Sequence, residues 1–304
     1  MSAPVSTGSL AGLSVALCLL AAAAALAQSP PAPSYTPPAR SEVPDDAFGK
    51  LVKQGELIFL DTAAQAPAFV GNRLRCASCH LDDGRHPDSA PMGAAYLAHP
   101  TRRGAEGEAV TFRRRVQTCF LTSMNGAAPP AGDPALEALE AYAIFLTRGA
   151  PVGLKAPDHG YRRLNAPGVL DRAAGKAVYE GKCALCHGLD GQGQEARDGQ
   201  LTFPPLWGPQ SYNWGAAMAQ APNAAAFIKA NMPLGLANAL SDEEAWNVAY
   251  YIDTQERPQD PRFNGSVAET RRAHHDFPFD FYGLTVEGAT LGAASLPSGG
   301  ATRK

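Results

Sequence analysis

CASCH, Cys76 to His80, and CALCH, Cys183 to His187, decide the reading of this chain. Each is C-x-x-C-H, the attachment signature of a c-type haem. Two thiols at this spacing can form thioether bonds with the two vinyl groups of the porphyrin, and the histidine that follows reaches the iron from the proximal side. A redox CxxC pair and a zinc site compete as readings of a single copy. Two copies, each followed by helical sequence at similar distance, weigh heavily against both. The expected cofactor is therefore two covalently bound haem c, held by Cys76, Cys79 and His80 and by Cys183, Cys186 and His187.

The flanks of the second copy extend the reading. GKAVYEGKCALCHGLDGQG, Gly175 to Gly193, leads into the motif with Val178 and Tyr179 on a helix and leaves it through a glycine-rich loop. In LSDEEAWNVAYYIDTQ, Ser241 and Glu244 make a capping box, and Ala245, Val248, Ala249 and Ile252 recur at helical spacing. A helix, CxxCH, a loop with a distal ligand and a closing helix form the layout of a class I cytochrome c. The first copy has the same parts. Phe48 to Thr62 is the leading helix, and Asp133-Pro134 starts a closing helix through Leu136, Leu139, Tyr142 and Leu146. The expected fold is all-α, with two class I cytochrome c-type domains in tandem, 45–150 and 168–265, each enclosing one haem. Residues 151–167 are the expected linker and 266–304 a C-terminal tail. No chemistry is assigned to the tail, and His274 and His275 are expected at the surface.

The 304 residues are 45% hydrophobic, which suits a soluble globular protein. A formal charge of −3 excludes nucleic acid as the main partner, because phosphate binding needs a basic surface. An apolar run from Leu10 to Leu26 ends in Ala25-Leu26-Ala27, so 1–27 reads as a signal peptide cleaved after Ala27 and the protein as periplasmic. Any membrane contact is through that segment alone. Cys18 leaves with the signal, and 28–44, rich in Pro, Ala and Ser, reads as a flexible tether.

An iron with one histidine takes a second ligand or stays open. In the second half Met232, in ANMPLG just before the closing helix, is the distal candidate, ahead of Met218 and Lys229. A His/Met pair raises the reduction potential and suits electron transfer. In the first half the candidates are His86, Met92, His99, Cys119 and Met124. Four of the five mature cysteines are committed to haem, so Cys119 has no disulfide partner within the chain. It is either a small buried hydrophobe beside Phe120 and Leu121 or a thiolate on iron, its pKa lowered by neighbouring arginines. Arg115 lies four residues before it on the same helical face, whereas Arg113 and Arg114 point elsewhere.

The stretches LRCASCHLDDG, RRVQTCFLTSMNG, KCALCHGLDGQG, FPPLWGPQSYNWGAAM, FIKANMPLG and LSDEEAWNVAYYI cover most of Leu74 to Pro258. In them the chain resembles the dihaem thiosulfate dehydrogenases, which form tetrathionate, and more distantly the cysteine-ligated cytochromes of the Sox pathway. The resemblance implies His80 and Cys119 on the first haem, His187 and Met232 on the second, and a catalytic group of Cys119, Arg115, Ser123 and Arg103. It implies thiosulfate and tetrathionate as substrate and product, and a small periplasmic electron acceptor such as another cytochrome c. The chain departs from some members at Asn231, where they carry a lysine that can itself bind iron. An electron-transfer cytochrome without substrate chemistry and a tetrathionate reductase are the alternative functions.

Overall fold

The computed structural model describes Met1 and residues 35–103, 107–151, 161–197 and 201–294. The expected signal peptide and residues 28–34 of the tether lie outside the described residues.

Helix α1 (Ala47–Leu60) starts at Asp46, whose carboxylate accepts the Gly49 N–H at 2.8 Å. After the short α2 (Thr62–Gln65), the first motif and a turn α3 (Leu81–Gly84) come α4 (Met92–Leu97), α5 (Phe112–Thr122) and α6 (Pro134–Phe145). Asp133 caps α6 and Pro134 occupies its first position, where the missing N–H costs nothing. The second half supplies α7 (Arg172–Lys182), α8 (Ala184–His187), α9 (Ala221–Asn231) and α10 (Asp242–Asp253), with the Ser241–Glu244 capping box in place at the start of α10. A capped end of this kind is worth about 1 kcal/mol.

The same crossing is built twice. In α1, Gly55 lies so close to α6 that a Cβ there would run into the Ala138 carbonyl, and Phe59, one turn on, meets Tyr142 at 5.6 Å. In α7, Gly175 lies equally close to the Asn247 carbonyl of α10, and Tyr179 meets Tyr251 at 5.5 Å. In each pair a glycine lets two helix backbones approach, and an aromatic four residues later fills the angle they leave. A tyrosine of each pair also ties down the turn behind its motif. The Tyr142 hydroxyl donates to the Asp83 carbonyl and the Tyr179 hydroxyl to the Gly188 carbonyl, both at 2.7 Å.

The described residues from Tyr35 onward make one compact unit, and a continuous apolar core runs through both halves from Val52 to Leu291. The fold is helical with three short two-stranded antiparallel ladders: β1 (Thr101–Arg103) with β2 (Glu108–Val110), β3 (Gln194–Glu195) with β4 (Leu201–Phe203), and β5 (Thr285–Val286) with β6 (Ala289–Thr290). No helix among the described residues is long and apolar enough to cross a membrane.

Three segments differ from expectation. Within the tether, Arg40 pairs with Glu56 of α1 and Asp83, each at 2.7 Å, so 35–44 is held against the first half. Within the linker, Tyr161 is buried and Leu164 packs on the core, while 152–160 lie outside the described residues. The tail correction is larger. After α11 (Val267–His274), His275 is buried rather than at the surface, with its two ring nitrogens 2.8 Å from Asp260 and Asp280. Tyr282 is fully buried and stacks on the His275 ring at 4.4 Å. The two acids are 15 and 5 residues away in sequence, so only folding assembles this clamp. His274, next to it, is partly exposed.

Candidate functional site

The first motif and α5 frame the site. Thr111 caps α5 by accepting the Arg114 N–H at 3.2 Å. Phe112, Val116 and Phe120 recur every four residues and are buried. Arg115, Cys119 and Ser123 recur at the same spacing one residue out of step, so they form an adjacent stripe at the core's edge. Arg113 is spent on Glu140 of α6 at 2.6 Å, and Arg114 is exposed. Of the three consecutive arginines, only Arg115 shares the Cys119 stripe. Arg115 acts electrostatically on His80 and Tyr161, and Cys119 on Cys76, Cys79 and Tyr161. Arg115 and Cys119 of α5 therefore lie near the first motif and Tyr161. Ser123 forms the C-cap of α5. Arg103 contributes backbone to β1, and its side chain lies outside the described residues.

The donors present fit the haem c that the motifs imply. His80 Nδ1 lies 2.7 Å from the Ala90 carbonyl, and His187 Nδ1 lies 2.8 Å from the Pro204 carbonyl. Each Nδ1–H donates, which leaves the lone pair on Nε2, the tautomer that iron ligation requires. Burial lowers the pKa of both rings and keeps them neutral, and the charge of Arg115 acts the same way on His80. Burial pushes Cys76 up to about 11, Cys79 up to about 12 and Cys183 up to about 11, so these thiols stay protonated. The Thr62 hydroxyl accepts the Cys76 N–H at 3.1 Å and holds the start of the first motif in place.

The other ligand candidates have varied surroundings. Lys229 donates to the Leu240 carbonyl at 2.6 Å and pairs with Asp242 at 3.3 Å, so its ammonium is occupied at the start of α10. Met232 ends α9, and with Met218 it packs against Tyr161, Ala226 and Phe227. Leu81 and Ala90, which flank the first motif's loop, pack on that same cluster. Asn231 donates to the Asp88 carbonyl of the first half at 2.9 Å. Met92 and Met124 are buried in the core. His99 Nδ1–H donates to the Ala95 carbonyl at 2.6 Å, and His86 Nδ1 is buried without a partner among the described residues.

Tyr161 is the site residue that sequence reasoning missed. Its hydroxyl donates to the weak acceptor Met218 Sδ at 3.7 Å, and burial raises its pKa far enough to keep it a neutral donor. The only signal in the sequence was an aromatic residue inside an otherwise featureless linker.

Comparison with known proteins places this geometry. The cytochrome c family model matches residues 172–256, a domain that carries covalently bound haem c. The thiosulfate dehydrogenase of Thiomonas intermedia (strain K12) is 48% identical, with 94% of this chain and 97% of the relative covered. That of Stutzerimonas stutzeri (strain A1501) is 46% identical, with 85% of each covered, and that of Allochromatium vinosum is 41% identical over 76% of this chain and 87% of the relative. Among solved structures, the thiosulfate dehydrogenase TsdBA from Marichromatium purpuratum in its as-isolated form superposes with a TM-score of 0.82 at 45% identity. The match covers 87% of this chain, which spans 59% of that longer one. Identity at this level across nearly the full length, together with a cytochrome c domain, means that the chain belongs to the thiosulfate dehydrogenase family.

Proposed function

We propose that the chain is a periplasmic dihaem cytochrome c that joins two thiosulfate dianions into tetrathionate and passes the electrons to a small protein acceptor. The observation that carries this reading is the Arg115–Cys119–Ser123 stripe of α5 beside Cys76, Cys79 and His80. His80 and Cys119, and His187 and Met232, would each hold a haem, and two such centres would supply one-electron redox chemistry matching the two electrons released per tetrathionate.

The rest of the mechanism belongs to the chain's own groups. Arg115 offers a planar fork of donors to the sulfonate end of thiosulfate. Ser123, one turn beyond Cys119, offers a hydroxyl to the same anion. Two dianions repel one another, so a guanidinium in a half-buried site is where charge stabilisation is most effective. Cys119, which would be the exchangeable ligand of the first haem, acts as the nucleophile. Its thiolate bonds the outer sulfur of one thiosulfate as two electrons leave, giving a cysteine S-sulfane sulfonate. The outer sulfur of a second thiosulfate attacks that adduct, tetrathionate departs and the thiolate returns. No proton moves in either step.

The test is steady-state thiosulfate oxidation by purified holoprotein with ferricyanide as acceptor, run beside Cys119→Gly. Tetrathionate formation that disappears in the variant is the expected result. Full turnover in the variant removes Cys119 from both roles.

A further inference from the structure

The segment SYNW, Ser211 to Trp214, lies within the family resemblance yet carries no ligand, and all four residues are buried. It lies against the C-terminal end of α5. A helix leaves its last four carbonyls without partners inside the helix, and buried carbonyls must be satisfied from elsewhere. In α5 the Cys119 carbonyl accepts from the Ser123 and Met124 N–H groups, at 2.8 and 2.9 Å, and the Phe120 carbonyl from the Gly126 N–H at 3.0 Å. Asn213 serves the next two, although the Thr122 carbonyl also accepts the Asn125 N–H at 3.4 Å. The Asn213 side-chain Nδ2 donates to the Leu121 carbonyl at 3.0 Å, and its backbone N–H donates to the Thr122 carbonyl at 3.1 Å. Nδ2 also donates to Asn125 Oδ1 at 3.0 Å, and Oδ1 accepts the Gly215 N–H at 3.0 Å, so the amide has no freedom to flip.

The neighbours stiffen this contact. Asn72 bridges the same junction, donating to the Ser123 carbonyl at 2.8 Å and to the Ser211 carbonyl at 3.0 Å. A Cβ on Gly215 would meet the Thr122 methyl at 3.1 Å, so the two backbones are already close. Tyr212 and Trp214 point the other way, beneath the buried Arg257 guanidinium at 4.4 and 5.2 Å. The segment thus joins the second half's core to the last turn of α5, which begins at Cys119.

We propose that Asn213 is a positioning residue for Cys119, fixing through the Leu121 and Thr122 carbonyls the last turn of α5 and hence the reach of the thiolate. The inference rests on the reading of Cys119 as a distal iron ligand. Through this residue the second half governs a ligand of the first.

The experiment compares wild-type holoprotein with Asn213→Ala, Asn213→Asp and, as a control on the same segment, Tyr212→Phe. Asn213→Asp keeps the size and the acceptor for Gly215 but turns an oxygen toward Leu121 O and Asn125 Oδ1. The readouts are the low-spin thiolate signal in electron paramagnetic resonance, the spectrum of the second haem and kcat for thiosulfate. The expected result is a shifted or heterogeneous thiolate signal and a kcat about 10–100-fold lower in both Asn213 variants, the range for partners that orient a metal ligand. The second haem is unchanged, and Tyr212→Phe behaves as wild type. Variants with the wild-type signal and rate overturn the proposal, as do variants in which both haems are disturbed alike. A wild type without any thiolate signal removes the ligand reading itself, and this proposal with it.

Discussion

The two halves repeat one helix crossing, but their motifs meet opposite surroundings. Behind the first motif, Leu81 and Ala90 are packed with Tyr161 and Phe227, and Arg115 and Cys119 of α5 lie near the motif. At the second, Leu185 inside the motif is 87% exposed and Leu189 just after it 75% exposed. Leu234 and Leu236, which follow Met232, are 68% and 63% exposed. The third position of the motif shows the contrast most directly. Ser78 accepts the Arg75 N–H at 3.2 Å, while the equivalent Leu185 stands in solvent. The flank of the first motif is packed and has the Arg115 guanidinium near it, which suits a small dianion. The second is rimmed with bare leucines, which suits contact with another protein surface. The neighbours packed against the first motif's loop come from the linker, through Tyr161, and from the second half, through Phe227 and Asn231.

The substitutions that test this contrast most severely lie at the covered centre. Cys119→Gly should lower thiosulfate turnover by more than about 100-fold, the upper end for a residue acting only through a ligand. Ferricyanide-coupled kinetics measure this, and a loss below tenfold would place the chemistry elsewhere. Arg115→Leu should cost about 10–100-fold in kcat/KM, from the 1.5–3 kcal/mol of a hydrogen bond to a charged group. Arg114→Leu, at an exposed position on the same helix, should change it less than about twofold. Equal effects of the two would reduce the arginine run to general electrostatics.

The bare centre predicts a different signature. Leu185→Asp should slow electron delivery to a protein acceptor about fivefold, near 1 kcal/mol for a contact at an interface. Delivery to ferricyanide, which needs no docking surface, should be unaltered. If both acceptors slow together, the substitution has damaged the centre rather than its surface.

The smallest effect on turnover is expected at His275, which makes no hydrogen bond to either motif among the described residues. Burial disfavours its charge, but hydrogen bonds with Asp260 and Asp280 raise its pKa above the ordinary value. Asp260, despite its own burial, is held well below the usual carboxylate range by Arg262 and His275. A histidine raised by folding binds its proton more tightly in the native state. The stabilisation is therefore complete below about pH 6.5 and lost as pH rises through the folded pKa. Thermal unfolding midpoints should fall across that alkaline window in wild type, and His275→Gln should abolish that dependence while leaving turnover near wild type. A wild-type midpoint flat from pH 6 to 9 would show that the clamp does not carry a proton.

Some features were legible because they are local. The capping box at Ser241 and Glu244, the proline start of α6 and the 3.6-residue recurrence of Ala245, Val248, Ala249 and Ile252 each depend on residues within one or two turns. The i, i+4 relation of Arg115 and Cys119 is of the same kind, and it separates Arg115 from its two neighbours before any coordinates are consulted. The parts that were not legible depend on distant partners. Tyr161 read as linker because its neighbours Phe227 and Met218 are more than fifty residues away. His275 read as surface because the acids that bury it come from two separate turns. The tether read as loose because Arg40 finds Glu56 and Asp83 only in the folded chain.

By itself, then, the sequence determined the attachment chemistry, the helices beside each motif and the lone cysteine on an arginine-bearing face. Covalent chemistry and helical periodicity act over a few residues, so spacing alone specifies them. Tertiary structure decided which motif is covered and which is bare, and what holds the end of the Cys119 helix. Those outcomes turn on whether buried polar groups find partners across the chain, as the Leu121 and Thr122 carbonyls do at Asn213, and no local pattern records where such partners will come from.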